Sequence, residues 1–250
     1  MSPSTATQGH GVRADAVVPG EASSRRGALP PDLRRILIVG AGGFGREVLR
    51  WARDAWPLDC HRIAGFLSAD ADVLDGCDCG VGIIGAPDSH QPEIGDMHVL
   101  AIGVPYARRR VAESLIARGA GFLTLVHPTA IVAASASIGE GSIICPYAIV
   151  SDRARVGRFV ALNYHASLGH DASAGDFAVL SPYAALGGDA HVGADVFLGL
   201  NSSVGPGVSV GSGSKVSANS ASLHDAPEKS LIYGVPGRVV PRVDLSGAAP

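Results

Sequence analysis

From Val132 to Val216 an apolar position recurs every six residues: Val132, Ile138, Ile144, Val150, Val156, Leu162, Leu168, Ala174, Leu180, Leu186, Val192, Leu198, Val204, Val210 and Val216. All are Val, Ile or Leu except Ala174. The residue two before each is always Ala, Ser or Val, and the residue after it is Gly at nine of the fifteen positions, such as Gly139, Gly157, Gly169 and Gly187. No insertion breaks the register. A period of six fits neither an amphipathic helix nor a half-buried strand. It fits a parallel β-helix, in which six residues make one short strand plus a corner and three such faces close a coil of about eighteen residues. The aliphatic side chain points inward, the small residue fits the corner, and the glycine is expected to supply backbone angles that a Cβ forbids. About five coils are expected, stacked about 4.8 Å apart by parallel pairing.

Upstream the pattern changes. Arg35–Val39 is a buried strand, Gly40-Ala41-Gly42-Gly43-Phe44-Gly45 a glycine loop, and Arg46–Trp56 a helix with Val48, Leu49 and Ala52 on its inner face. Further strands are expected over 62–67, 81–84, 99–102 and 122–126, with a helix over 107–118. Strand, glycine loop and helix together direct backbone amides at a phosphate, which makes Gly40, Gly42, Gly43 and Phe44 candidate ligand contacts. The unit spans about ninety residues, roughly half of a full dinucleotide fold. The second strand ends in Phe66-Leu67-Ser68-Ala69, and Asp70 lies beyond its tip, so nicotinamide binding is disfavoured. A phosphate-bearing ligand and a glycine turn kept for close packing both remain open. The expected organisation is a disordered Ser/Ala/Gly/Pro-rich tail over 1–33, a small Rossmann-like α/β domain over 34–126, an all-β solenoid over 127–221 and a closing segment over 222–250.

Composition narrows the function. The 250 residues carry a net charge of −3, and 5% are aromatic, which suits neither a nucleic-acid surface nor a base-stacking platform. No signal-peptide core is present, and no apolar run approaches the roughly eighteen residues a membrane span needs. A cytoplasmic protein is the reading. Cys77-Asp78-Cys79 has the spacing of a metal half-site, but no second pair accompanies it among the four cysteines, so reduced thiols are expected.

Gly40-Ala41-Gly42-Gly43-Phe44-Gly45-Arg46-Glu47, then Gly65-Phe66-Leu67, Ala101-Ile102-Gly103, His127-Pro128-Thr129-Ala130 and the closing Gly234-Val235-Pro236-Gly237-Arg238 resemble the sugar O- and N-acyltransferases. These include sialic acid O-acetyltransferases and UDP-amino-sugar N-acetyltransferases, and the resemblance runs from about Arg35 to Arg242. It implies a left-handed β-helix assembled as a homotrimer, with acetyl-CoA in the groove between subunits and no metal. It implies that the N-terminal domain presents the acceptor, often a nucleotide sugar. The family's catalytic histidine and the acidic residue after it fall on His170 and Asp171. The glycine whose N–H faces the thioester oxygen falls on Gly188. Gly199 and Leu200 fall in the CoA groove, and Asn163 and His165 near the acceptor.

The chemistry suits these residues independently. Moving acetyl from a thioester to an amine or hydroxyl requires a base to take the nucleophile's proton, and a neutral imidazole serves near neutral pH. The chain departs from the sugar-nucleotide members at Phe44, at Ser68 and Ala69, at Val104-Pro105 and at Val179. The first three lie where the nucleotide would sit, so a non-nucleotide amine or alcohol stays open as acceptor. A rival of another class rests on His165 and His170, whose spacing resembles two zinc ligands of γ-class carbonic anhydrases. His127 and His191 are the nearest further imidazoles, and neither stands a whole number of coils away. A non-catalytic trimeric scaffold is the third possibility.

Overall fold

The computed structural model describes residues 29–242. The expected tail lies outside the described residues up to residue 28. Its last part does not behave as tail: Leu33 is buried in the core of the first domain, and Leu29 packs against it.

The N-terminal domain is a parallel sheet of β1 (Arg35–Val39), β2 (Ile63–Leu67), β3 (Ile83–Gly85), β4 (Asp96–Leu100) and β5 (Gly121–Phe122), in the order β3-β2-β1-β4-β5. β1 is central and buried from Ile36 to Val39, as expected of a parallel strand covered on both faces. Helix α1 (Gly43–Ala55) begins inside the glycine loop and buries Gly45, Val48, Leu49 and Ala52. Helix α2 (Pro105–Ile116) starts two residues before the expected Ala107, because Pro105 opens its first turn. The strand expected over 122–126 is two elements. Gly121–Phe122 pairs with β4, whereas Leu125–Val126 leaves that sheet and pairs with Ile143–Ile144. The solenoid thus starts inside what the sequence suggested was the last strand of the α/β domain.

In the solenoid, residues eighteen apart pair in parallel on three faces, for instance Val150 with Leu168, Val156 with Ala174 and Leu162 with Leu180. One face stacks six strands and another five. The third stacks eight, of which the last, Arg238–Pro241, runs antiparallel to Ser230–Tyr233. Five coils is therefore an undercount. The extra layers, Leu125–Val126 and Ser230–Tyr233, lie before Val132 and after Val216, the first still in phase with the repeat and the second out of it. The repeat itself stops at Ser222, which occupies an inward position and donates its hydroxyl to the His224 carbonyl.

The small residue of each hexad behaves as expected: Ala148, Ala154, Ala166, Ala172, Ala178, Ala184 and Ala190 are fully buried. The glycine does not. Gly139, Gly157 and Gly169 lack a positive φ, but a Cβ on any of them would lie within 3 Å of backbone in the next coil. Close stacking selects glycine there. The left-handed turn falls two residues later and is taken by ordinary side chains: Tyr147, Arg153, Phe159, His165, Asp171, Phe177, Tyr183, Asp189 and Asp195. Each of the three corners therefore carries a ladder of side chains one coil apart.

The α/β domain lies along one corner of the solenoid. Phe159 and Phe177 stack there at 5.0 Å, and Phe122 meets Phe159 edge-on. Arg109 lies over Phe177 and grips Asp195 with bonds of 2.8 and 3.0 Å. Beside it, the wholly buried Arg108 donates to the carbonyls of Phe159, Leu100 and Ile102 at 2.6, 2.6 and 3.0 Å.

Candidate active site

The corner bearing Arg153, Asp171 and Asp189 holds the most developed arrangement of titratable groups in the solenoid. His170 projects from it with 69% of its side chain exposed. Its Nδ1 is 2.9 Å from Asp171 Oδ2. Asp171 is turned by a positive φ of 61° and accepts a two-pronged bond from Arg153, Nε at 2.7 Å and Nη2 at 3.0 Å. The Arg153 fork first, and then the bond from His170, pull the Asp171 carboxyl down to about 2. An ionised carboxylate only accepts hydrogen bonds, so His170 Nδ1 must carry the proton. Nε2 is left as the basic atom.

Gly188 stands one coil from His170 in the column. A Cβ built on it would come within 2.4 Å of His170 Nε2 and 2.5 Å of Cε1. The bare glycine is thus the floor on which the ring lies. Among the described residues its N–H has no hydrogen-bond partner, while its carbonyl accepts from the Gly207 N–H at 2.9 Å. A free N–H and a basic imidazole nitrogen side by side are the two parts an acyl transfer needs: a donor for the developing oxyanion and an acceptor for the nucleophile's proton. The obstruction at Gly188 is a movable ring, not backbone. Gly188→Ala should therefore fold with an unchanged melting temperature, swing the imidazole aside and lower kcat about a hundredfold. Melting and turnover measured on one preparation check this.

The remaining candidates scatter. His165 is not next to His170 but on the neighbouring corner, stacked between Tyr147 and Tyr183 at 5.2 and 4.9 Å, its ring nearly parallel to both. That placement removes the geometric basis for a shared metal site. Asn163 turns its side chain onto the Tyr164 N–H at 2.8 Å. Gly199 is held against Ala218 of the next coil, and Leu200 is half exposed beside it.

The glycine loop divides between the two open readings. A Cβ on Gly40 would strike the Ala101 carbonyl, and one on Gly45 the Gly40 carbonyl, so these two serve packing. Gly42 has open space beside it, caps α1 and accepts from the Arg46 N–H at 3.0 Å. Gly43 opens the helix, with only the tip of Arg46 near. Those two leave a helix N-terminus accessible to an anion. Phe44 turns along α1 to meet Trp51 edge-on at 6.1 Å. It lines a cavity of about 630 Å³ with Gly43, Arg46, Arg50, Cys77 and Cys79, and no solenoid residue contributes to that cavity. Arg153 escaped the reading of the sequence altogether. Its eighteen-residue offset from Asp171, with opposite charge, was the available signal.

Residues 35–115 match the family described as the PglD N-terminal domain. The UDP-N-acetylbacillosamine N-acetyltransferase of Bacillus subtilis is 31% identical over 120 residues, 45% of this chain and 51% of that protein. The chain thus spans about half the length of that relative. Structural likeness is more complete. A perosamine N-acetyltransferase mutant from Caulobacter crescentus, in complex with CoA and GDP-perosamine, superposes with a TM-score of 0.73 at 27% identity, covering 82% of this chain and 96% of that one. The acetyltransferase domain of PglB from Neisseria gonorrhoeae, in complex with acetyl coenzyme A, gives 0.73 at 28% identity, covering 83% and 100%. Residues 35–115 thus match the PglD N-terminal domain, and the chain as a whole is similar in fold to solved sugar N-acetyltransferases.

Proposed function

We propose that the chain is an acetyl-CoA-dependent N-acetyltransferase whose acceptor is a nucleotide-linked amino sugar. The observation that carries this reading is the His170–Asp171 pair laid over Gly188, in a fold that matches an acetyltransferase domain in complex with acetyl coenzyme A. Acetyl-CoA supplies the acyl group and a thiol leaving group. The site accommodates that chemistry, because the bare Gly188 lets the His170 ring lie against it and keeps its N–H free among the described residues.

The chain's own residues do the following. His170 Nε2 takes the proton of the attacking amine. Asp171 holds the Nδ1 proton in place and offsets the charge the ring acquires. The Gly188 N–H faces the carbonyl oxygen as charge builds there. Gly199 and Leu200 line the CoA groove, and Asn163 and His165 lie toward the acceptor. No Ser or Cys nucleophile takes part. On the α/β domain, the Gly42–Gly43 amides at the start of α1 receive a phosphate of the acceptor, beside Gly40 and Phe44. That domain docks on the Phe159–Phe177 corner, whereas His170 belongs to the Asp171 corner. A homotrimer reconciles the two by bringing one subunit's acceptor domain to its neighbour's His170. Among the described residues no helix is long and apolar enough to cross a membrane. We place the protein in the cytoplasm, with its two small-molecule substrates.

The test is thiol release from acetyl-CoA, followed with Ellman's reagent across UDP-, dTDP- and GDP-amino sugars and free amino sugars. Turnover with one nucleotide sugar is expected. Turnover only with free sugars would remove the nucleotide from the reading, and CoA binding without turnover on any amine would overturn it.

A further inference from the structure

Asp171 receives two side chains, and only one of them is explained by base catalysis. Arg153, one coil before it, spends its fork on both carboxylate oxygens, one of which also accepts from His170 Nδ1. Arg153 is itself held. Its backbone N–H donates to Ser135 Oγ at 3.0 Å, Ser135 donates to Asp152, and Asp152 Oδ2 stands 3.5 Å from Arg153 Nη1. The chain Asp152, Arg153, Asp171, His170 thus alternates in charge along the corner and ends at the basic nitrogen. Asp189, in the next coil, faces the other way toward His191 at 3.6 Å and leaves the chain undisturbed. A carboxylate held by a single imidazole bond can rotate and present either oxygen. A two-pronged guanidinium removes that freedom, because both oxygens are committed in one plane.

Resting on the transferase reading, we propose that Arg153 is a positioning residue for the reaction: its fork pins Asp171, and through Asp171 it fixes the tautomer and aim of the His170 ring. Nothing in this role requires Arg153 to touch either substrate. Its exposed position rules out a large part in stability, since ion pairs in water contribute little to folding. Its effect belongs to orientation, which multiplies rate without changing binding.

The experiment compares Arg153→Met, Arg153→Lys, Asp171→Asn and the Met/Asn double variant in the full-length protein. Arg153→Met should lower kcat about tenfold and leave KM for both substrates within about twofold. Arg153→Lys should recover part of the loss, since an ammonium keeps the charge without the fork. The double variant should be no slower than Asp171→Asn alone, because Arg153 works only through that carboxylate. Imidazole ¹⁵N shifts of His170 at mildly alkaline pH give a reading independent of turnover. Wild type should show one Nδ1–H tautomer and Arg153→Met a mixture. Fully additive losses, or one unchanged tautomer in Arg153→Met, would overturn the proposal. If Arg153→Met fails to fold, Arg153→Lys carries the same tautomer and kinetic comparison, with intermediate values expected. A wild type that transfers no acetyl to any amine sinks the transferase reading, and the tautomer measurement still decides what Arg153 does.

Discussion

Alanine at His170 is expected to lower kcat/KM by about 10²–10⁴ and to leave the fold unchanged. The first half follows from the loss of a positioned base, whose contribution spans that range. The second follows from geometry. The His170 side chain is mostly exposed, and the bond its carbonyl accepts from the Asp189 N–H survives any substitution. Changes at exposed sites usually shift stability by less than about 0.5 kcal/mol. Thiol release from acetyl-CoA and a thermal melt on the same sample decide the matter. A variant retaining more than about a tenth of the rate would show that proton removal lies elsewhere. The pH dependence separates the two members of the pair. The Asp171 carboxyl is held down at about 2, so its charge is lost only as pH falls through that value. Any loss of activity nearer neutrality therefore has a different origin, and Asp171→Asn should act by removing orientation, not by moving an acid limb.

How much of this was written in the sequence depends on the range over which each residue's partners lie. The solenoid was legible because its code is local: each hexad names its own inward, corner and stacking positions, and the next repeats it. Even so, the glycine after each aliphatic residue was assigned the wrong cause. A positive φ is a property of one residue, whereas contact with the next coil is a property of two segments eighteen residues apart, as Gly139 with Gly157 shows. The end layers were missed for a related reason. Val126 keeps the six-residue spacing, but neither a small residue two before it nor a glycine after it marks the layer, and Ser230–Tyr233 joins the stack by pairing alone.

The site divides in the same way. His170, Asp171 and Gly188 were reached through a family resemblance, and their mutual contact is what the structure adds. Arg153 lay within reach, because a known period of eighteen sets it against Asp171 with opposite charge. His165 entered through the family resemblance, as a residue near the acceptor, and through a zinc-like spacing from His170. Five residues in this fold lead to another corner, where aromatic stacking on Tyr147 and Tyr183 governs instead.

Arg108→Ala should cost about 3–5 kcal/mol, as much as truncating a large core side chain. Arg108 stands on the inward stripe of α2 with Val111, Ala112 and Leu115, yet it is a cation with no exposed surface. Burial pushes its guanidinium down to about 9, which leaves it charged near neutrality. No carboxylate among the described residues answers it. The charge is spread instead over three carbonyls, two at the end of β4 and one at the Phe159 corner, while Nη2 has no partner among the described residues. Alanine would relieve the buried charge but leave those carbonyls unpaired and open a cavity where the two domains meet. Arg108→Met separates the terms: it fills most of the space, so its smaller loss, about 2 kcal/mol, measures the orphaned carbonyls alone. Because two of the severed bonds hold α2 to the end of β4 and the third joins it to the solenoid corner, the α/β domain should unfold first. Denaturant unfolding with limited proteolysis would show cleavage between Arg35 and Gly121 before any within the coils. A single transition shifted by less than about 1 kcal/mol would mean that Arg109, through Asp195 and Phe177, holds the domains together without Arg108.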